Sequence, residues 1–101
     1  MNTQRNFQFV PAYYEWHLID NNGNTLHNMV DPLDELFHED GLPMNLEEVT
    51  DMCAEELHAA ENAYAEGNDY NGIMLSEGLS AIEEKKAAQV MAQALYNYYL
   101  A

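Results

Sequence analysis

This sequence has very few basic residues. Against 18 Asp and Glu stand only Arg5, Lys85 and Lys86, which gives 101 residues a formal net charge of −15. Direct nucleic-acid binding is driven by Lys and Arg that neutralise phosphates, and docking on anionic lipid needs the same residues. The charge therefore excludes direct nucleic-acid binding and membrane docking as main roles.

Cysteine and long apolar runs are also scarce. The single Cys53 excludes an internal disulfide and a cysteine-based zinc cluster. Residues 1–6 carry no apolar signal-peptide core, and no run approaches the roughly 18 apolar residues of a membrane span. We therefore expect a soluble cytoplasmic protein.

Catalytic motifs are missing. Ser76 and Ser80 lack the Gly-x-Ser-x-Gly elbow, and there is no glycine-rich phosphate loop. Cys53 lies on the apolar stripe of a predicted helix, among carboxylates that raise the pKa of a thiol. We expect no enzymatic activity and no cofactor.

The histidines and one acidic loop are the candidate metal ligands. His17, His27, His38 and His58 include no i, i+4 pair and no His-Glu-x-x-His motif, so we expect no metal site. Residues 20–31 partly follow the calcium-loop pattern, but Thr25 stands where glycine is required and the flanks are typical of strands. A calcium-binding protein remains an alternative hypothesis.

Apolar residues make up 48% of the chain and aromatic residues 11%, enough for a single folded domain over residues 1–101. The aromatic and β-branched stretch 7–20 predicts a strand, in which Pro11 marks a break, a bulge or an edge position. Asn22-Gly23 favours a type I′ turn, with a second strand at 25–30. Such a turn pairs His17 with Asn28 and places His17 and His27 on opposite faces.

Helical signals follow. Asp31-Pro32 predicts a short helix, with Leu33, Leu36 and Phe37 on one face, that ends at Gly41. Asn45 and Glu48 form a capping-box pattern before a helix over 46–66. Its apolar stripe comprises Leu46, Val49, Cys53, Leu57, Ala60 and Tyr64.

After a predicted loop at 67–72 and an apolar plug at 73–75, Ser80 and Glu83 form a second capping box. The helix that it opens is expected to reach Leu100, with one broad apolar face: Ala87, Val90, Met91, Ala94, Leu95 and Tyr98. The order of elements predicts an α+β fold, in which an N-terminal antiparallel β-hairpin or small sheet packs against two to three helices.

Acidic residues recur along one side of the first long helix. Glu47, Asp51 and Glu55 are spaced i, i+4 and i+8, about 6 Å apart along the axis, with Glu48 and Glu56 beside them. Like charges at this spacing cost about 0.2–0.5 kcal/mol per pair. We predict that these five carboxylates bind a partner.

A C-terminal tyrosine cluster offers a different surface. Tyr96 and Tyr99 lie off the helix face that carries Val90 and Ala94, so part of the cluster is expected to be exposed. Because tyrosine is enriched at interfaces, Tyr96 and Tyr99 are predicted partner-binding residues, and a homodimer patch is a further option.

Net charge is a legitimate guide to partners. Duplex DNA as long as a domain of this size carries about 20 charges, comparable with −15. The sequence therefore predicts an inhibitor that binds a basic, nucleic-acid-binding protein as a DNA mimic. In size, charge and lack of catalytic motifs it is similar to the anti-restriction and anti-CRISPR proteins by which phages oppose host defence. The alternative is an adaptor or regulatory subunit that binds through the tyrosine cluster.

Overall fold

The computed structural model describes residues 6–67 and 79–101. In these ranges three strands precede two long helices: β1 (Phe7–Ala12), β2 (Glu15–Asp20), β3 (Thr25–Val30), α1 (Leu46–Ala65) and α2 (Ala81–Leu95). The strands form one antiparallel sheet in the order β1-β2-β3. The fold is therefore α+β, with a small N-terminal sheet, as the order of elements predicts.

One face of the sheet supplies much of the core. Phe9 pairs with Leu18, and Leu18 pairs with His27, so alternate side chains of all three strands point to the same side. α2 contacts both α1 and β1. The buried residues of the sheet and helices form one cluster: Phe7, Phe9, Trp16, Leu18, Leu26, Met29, Leu36, Val49, Cys53, Leu57, Ala87, Ala88, Met91, Ala92 and Leu95.

The stretch expected to be a single strand over 7–20 is two strands. Tyr13 and Tyr14 form a tight turn between β1 and β2, and the backbone of Tyr14 is left-handed, with φ of 64°. Pro11 lies on β1, at an edge of the sheet, which agrees with one of the positions predicted for it. An edge strand tolerates the missing N–H of proline.

The predicted Asn-Gly turn is present, but its type is different. Gly23 has φ of 82°, whereas Asn22 does not have the positive φ that a type I′ turn requires. Gly23 N donates to Asp20 O, and Asp20 N donates to Asn24 O, as in a three-residue loop built on a type I turn. The buried Asp20 carboxylate holds this loop by accepting hydrogen bonds from the backbone N–H groups of Asn22 and Asn24.

A register shift next to this turn compensates for the longer loop. Ile19 pairs with Thr25 but Leu18 pairs with His27, so Leu26 is the extra residue of a β-bulge. Because of the bulge, the consecutive residues Leu26 and His27 are both buried. The predicted pairing of His17 with Asn28 is confirmed.

The segment between β3 and α1 contains less helix than expected. A single 3-10 turn spans Leu33–Leu36, and the predicted end at Gly41 is wrong. Gly41 instead turns the following loop with φ of 87°. Leu36 is buried, but Leu33 and Phe37 are each 39% exposed. Four residues of tight helix cannot place three apolar side chains on one buried face.

α1 begins as predicted. The side chain of Asn45 accepts a hydrogen bond from Glu48 N at 2.8 Å, and Glu48 accepts one from Asn45 N at 3.1 Å. Val49, Cys53, Leu57 and Ala60 are buried. Leu46, the first residue of α1, is 37% exposed, which corrects its predicted burial, because the buried face of the helix begins at Val49. The structure does not describe the side chain of Tyr64.

α2 also begins at its predicted capping box, in which Ser80 and Glu83 hydrogen-bond reciprocally. Its buried face is rotated from the prediction, since Ala88 and Ala92 are buried whereas Val90 and Ala94 are only partly covered. The last turn, Tyr96–Leu100, is π-helical, with Ala101 N donating to Tyr96 O.

Two sequence predictions fall on residues that the structure does not describe. The loop at 67–72 is described only at Gly67, which has φ of 77°, and the apolar plug at 73–75 lies outside the described ranges. Among the described helices, none combines the length and the apolar character needed to cross a bilayer.

Candidate protein-binding surface

α1 presents a line of exposed carboxylates, here named the acidic row: Glu47, Asp51 and Glu55. All three are exposed, because the opposite side of the helix carries the buried Val49, Cys53 and Leu57. Residues 34–56 contain nine of the 18 acidic residues and no Lys or Arg. The fold therefore displays the predicted row on a rigid element, in the most acidic part of the chain.

One lysine lies on the flank of the row. Asp51 and Lys85 both line a cavity of about 310 Å³ between α1 and α2. Lys86, the neighbouring lysine, donates to the side chain of Asn6 at 3.2 Å. Asp51 and Lys85 therefore border the same cavity, one from each helix.

Glu48, also predicted to bind a partner, has a structural role. Its carboxylate accepts the Asn45 N–H and lies 3.0 Å from His38 Nε2. The backbone hydrogen bond from Asn45, with a smaller contribution from His38, lowers the pKa of Glu48 below its ordinary value of 4.5. Glu48 caps the helix and is less available to a partner than the acidic row.

Glu56, the fifth predicted carboxylate, lines a depression that the sequence did not indicate, here named the acidic groove: Glu35, Met44, Met52, Glu55 and Glu56. The groove has a volume of about 490 Å³. Glu35 comes from the 3-10 turn, and Glu55 and Glu56 come from α1. The fold thus brings together acids that are 20 residues apart in sequence.

His27 is a buried polar residue in the core, close to Glu56. Only 1% of its surface is exposed, and neither ring nitrogen has a hydrogen-bond partner. Its Nε2 is 3.8 Å from Oε1 of Glu56, beyond hydrogen-bonding distance. The pairing of His27 with Leu18 places its side chain on the core face, whereas the burial of the adjacent Leu26 depends on the bulge and breaks the alternation.

Each of the four histidines lies close to a glutamate. His17 is 2.8 Å from Glu15 and His58 is 3.2 Å from Glu84; His38 and His27 approach Glu48 and Glu56 as described. Within residues 6–67 and 79–101, no group of three or more potential ligands could hold a metal ion. In the proposed calcium loop, the Asp20 carboxylate is already engaged by backbone N–H groups.

Cys53 is fully buried in the core. Burial, with a further contribution from the charge of Glu56, raises the pKa of its thiol to about 12. A protonated, inaccessible thiol is a poor nucleophile, so the side chain packs as a small apolar group.

The C-terminal tyrosines are arranged differently from the prediction. Tyr99, predicted to lie off the apolar face, packs against the core and donates its hydroxyl to Asp31 at 2.8 Å, and Tyr96 is half-buried. Burial and the bond to Asp31 raise the pKa of Tyr99. Tyr98, predicted on the apolar face, is 63% exposed, with its ring 5.2 Å from that of Trp16. The π-helical turn explains the exchange, because i→i+5 bonding shifts the helix phase.

Tyr98 belongs to an exposed apolar region, here named the aromatic end: Tyr13, Tyr14, Val30 and Tyr98. Tyr13 is 84% exposed and Tyr14 is 75% exposed, with their rings 4.2 Å apart. Asp31 connects the region, because its backbone N–H bonds to Tyr14 O while its carboxylate binds Tyr99. Sequence reasoning missed the two tyrosines at the hairpin tip because it placed them inside a strand.

Comparison of the chain with protein-family models, with curated proteins and with solved structures finds no match.

Proposed function

We propose that this protein inhibits a basic, nucleic-acid-binding protein by occupying its binding groove as a DNA mimic. The observation that carries the proposal is the acidic row, three exposed carboxylates about 6 Å apart on one rigid helix. Half of the acids lie in the segment 34–56, which contains no Lys or Arg. A partner with Lys and Arg would supply the missing positive charge.

The proposed mechanism is electrostatic competition. A net charge of −15 accelerates encounter with a positively charged surface. Once bound, the acidic row takes positions that phosphates occupy in the partner's complex with nucleic acid. The proposal includes an intracellular site of action, of the kind used by phage anti-restriction and anti-CRISPR proteins, and no enzymatic activity.

The test is capture of partners from a bacterial lysate, followed by competition with duplex DNA. We expect DNA to displace the captured protein and capture to weaken steeply as salt rises. The row variant Glu47→Gln/Asp51→Asn/Glu55→Gln should capture less, mainly because association is slower.

A matched control separates the row from total charge. The variant Asp34→Asn/Glu39→Gln/Glu66→Gln also removes three exposed acids but leaves the row intact. We expect it to retain most of the capture. Equal losses in both variants, or a captured protein that DNA does not displace, would contradict the mimic proposal.

The aromatic end supports a second candidate function, an adaptor or regulatory subunit. Tyr13, Tyr14 and Tyr98 are exposed aromatic groups of the kind enriched at interfaces. A complex formed through them would be almost insensitive to salt and would be lost in Tyr13→Ser/Tyr98→Ser. A homodimer through the same region would be visible by sedimentation of the free protein.

A further inference from the structure

The aromatic end is a neutral surface on a strongly acidic protein. Its residues all come from three stretches, 6–14, 21–30 and 96–101, that contain no Asp, Glu, Lys or Arg. The 18 acidic residues all lie elsewhere in the chain. A basic partner would find no charge to complement on this surface, whereas another neutral, aromatic surface matches it.

The carboxylates next to the aromatic end in sequence are engaged within the molecule. Glu15, at the start of β2, lies 2.8 Å from His17 Nε2. Asp31, directly after β3, accepts the hydroxyl of Tyr99 at 2.8 Å. Both flanking charges therefore have partners in their own chain and do not require a cation from outside.

The tyrosines of the aromatic end are already packed against neighbouring rings. The rings of Tyr13 and Tyr14 are 4.2 Å apart, and the ring of Tyr98 meets that of the buried Trp16 edge to face at 5.2 Å. Side chains that are held in place before association lose less conformational freedom when a partner covers them. This arrangement favours binding through the tyrosines.

The exposed area is sufficient for a small protein–protein interface. An aromatic side chain carries about 150–250 Å² of surface, and the three tyrosines are between 63% and 84% exposed. With Val30 included, two copies that meet through their aromatic ends would bury about 1,000 Å² in total. This area is close to the lower limit of about 1,000–1,200 Å² for a specific interface.

We propose that the aromatic end joins two copies of this chain in a two-fold symmetric dimer. In such an interface each copy presents the same surface, so a neutral aromatic patch meets an identical one. Burial of the rings supplies the favourable free energy, and tyrosine rings pack well in edge-to-face or offset pairs. For so small an interface we expect a dissociation constant on the order of tens of micromolar.

The dimer leaves the middle of the acidic row accessible. Asp51 borders a cavity with Lys85, and Lys85 precedes Tyr98 by thirteen residues, about 20 Å of helix. Charges act over about 8 Å at physiological ionic strength but over about 30 Å at 0.01 M salt. Repulsion between the two copies is therefore strong only at low salt, and one dimer presents two acidic rows.

Sedimentation equilibrium of the free protein at concentrations up to about 300 µM tests the dimer. We expect one monomer–dimer equilibrium, whose dissociation constant falls several-fold between about 20 and 500 mM NaCl, because salt screens the repulsion between like-charged copies. Capture of a basic partner through the acidic row weakens over the same range. The two associations are therefore distinguished by the sign of their salt dependence.

Two double variants locate the interface, since each removes two exposed apolar side chains without changing the charge. Tyr13→Ser/Tyr98→Ser should raise the dissociation constant at least about ten-fold, because buried tyrosines often dominate interface energies. Leu42→Ser/Ile82→Ser, at positions 61% and 80% exposed outside the aromatic end, should change it less than about two-fold. Tyr13→Ser alone, which leaves the contact between Tyr98 and Trp16 intact, should raise it several-fold. Circular dichroism would establish that all three variants retain the fold.

Three results would overturn the inference: a protein that stays monomeric at about 300 µM in 500 mM NaCl, equal weakening by the two double variants, or a dissociation constant that rises with salt. A monomer that captures a different protein through its tyrosines would assign the aromatic end to an adaptor function instead. The dimer does not rest on the proposed function, because displacement by DNA tests the acidic row and sedimentation tests the aromatic end.

Discussion

Tyr14 occupies a backbone conformation that a bulky residue rarely adopts. Its φ of 64° is left-handed, which costs a residue other than glycine about 1–2 kcal/mol. Its side chain is 75% exposed and therefore gains little burial to offset that cost. Strained positions of this kind cluster at functional sites, and this one belongs to the aromatic end.

The first prediction is that Tyr14→Gly stabilises the free protein by up to about 1 kcal/mol. Glycine relieves the left-handed strain, although its greater freedom in the unfolded chain cancels about 0.4–1 kcal/mol of the gain. Urea unfolding measures the change. Tyr13→Gly, at the neighbouring position without positive φ, should be destabilising instead, and a larger loss for Tyr14→Gly than for Tyr13→Gly would contradict the argument.

The second prediction concerns Glu48 and pH. The pKa of Glu48 is lower in the folded protein than in the unfolded chain, so its ionised form contributes stability above the unfolded value of about 4.5. That contribution is lost as pH falls through the lower folded pKa. We expect Glu48→Gln to be less stable than the parent protein near pH 6, and the difference to shrink as pH falls below 4.5.

Measuring urea midpoints of both proteins from pH 6 to pH 3 checks this prediction. Glu39→Gln, which removes an exposed loop carboxylate, serves as the control and should show no comparable pH-dependent difference. A gap for Glu48→Gln that grows on acidification would have the wrong sign and would refute the capping role.

The roles of residues that act on near neighbours in the chain could be predicted from the sequence. The environments that depend on long-range packing could not. Asn45 with Glu48 and Ser80 with Glu83 act within four residues, and both capping boxes are confirmed. The burial of Leu26 depends on a bulge, and the proximity of Glu35 to Glu56 depends on how the 3-10 turn packs beside α1. Neither leaves a periodic pattern.

At the scale of elements, the sequence does contain a signal for the turn between β1 and β2, which was not predicted. Phe9 and Trp16 are seven residues apart, so one continuous strand would place them on opposite faces. Both are buried, and their rings are stacked at 5.2 Å. A two-residue turn at Tyr13-Tyr14 places both rings on the same face of the sheet. The turn was missed because it contains neither glycine nor asparagine, the residues typical of such turns.

The end of α2 left no comparable signal. Residues 81–100 have continuous helical propensity, and a change from i→i+4 to i→i+5 bonding has no sequence marker. The π-helical turn exchanges the environments of Tyr98 and Tyr99. It therefore moved the candidate aromatic surface from the predicted Tyr96 and Tyr99 toward Tyr98.

The third prediction concerns the acidic row as a unit. Glu47→Gln/Asp51→Asn/Glu55→Gln should leave the free protein equally stable or up to about 1 kcal/mol more stable, because it removes two like-charge pairs. The favourable interaction of Glu47 with the helix N-terminus limits the gain.

Urea unfolding at low salt measures this effect, and the difference should disappear in high salt. A loss of more than about 1 kcal/mol would identify these carboxylates as structural groups. The proposed function would then lose the self-repelling row that supports it.

At the scale of the whole molecule, charge opposes folding and favours association with a basic partner. The formal net charge of −15 repels itself in the compact state. The fourth prediction is that the melting temperature of the free protein rises by several degrees between 10 and 300 mM NaCl, since 1 kcal/mol corresponds to about 4–8 °C at this size.

Over the same range of NaCl, the affinity for a charge-complementary partner should fall. Calorimetric scans and binding measurements in one buffer series would check both slopes. A melting temperature that is constant with salt would contradict this prediction.

Because Cys53 is buried, its alkylation reports how often α1 separates from the core. Its thiol has no exposed surface and a pKa of about 12, so alkylating reagents react with it only after α1 separates from the core. Because the chain has one cysteine, the observed alkylation rate equals the rate for a free thiol multiplied by the fraction of molecules in which α1 is open. A bound partner that holds α1 closed would slow the alkylation in proportion to the fraction of the protein that is bound. The affinity for that partner could therefore be measured on the unmodified protein, without a dye, a tag or a catalytic assay.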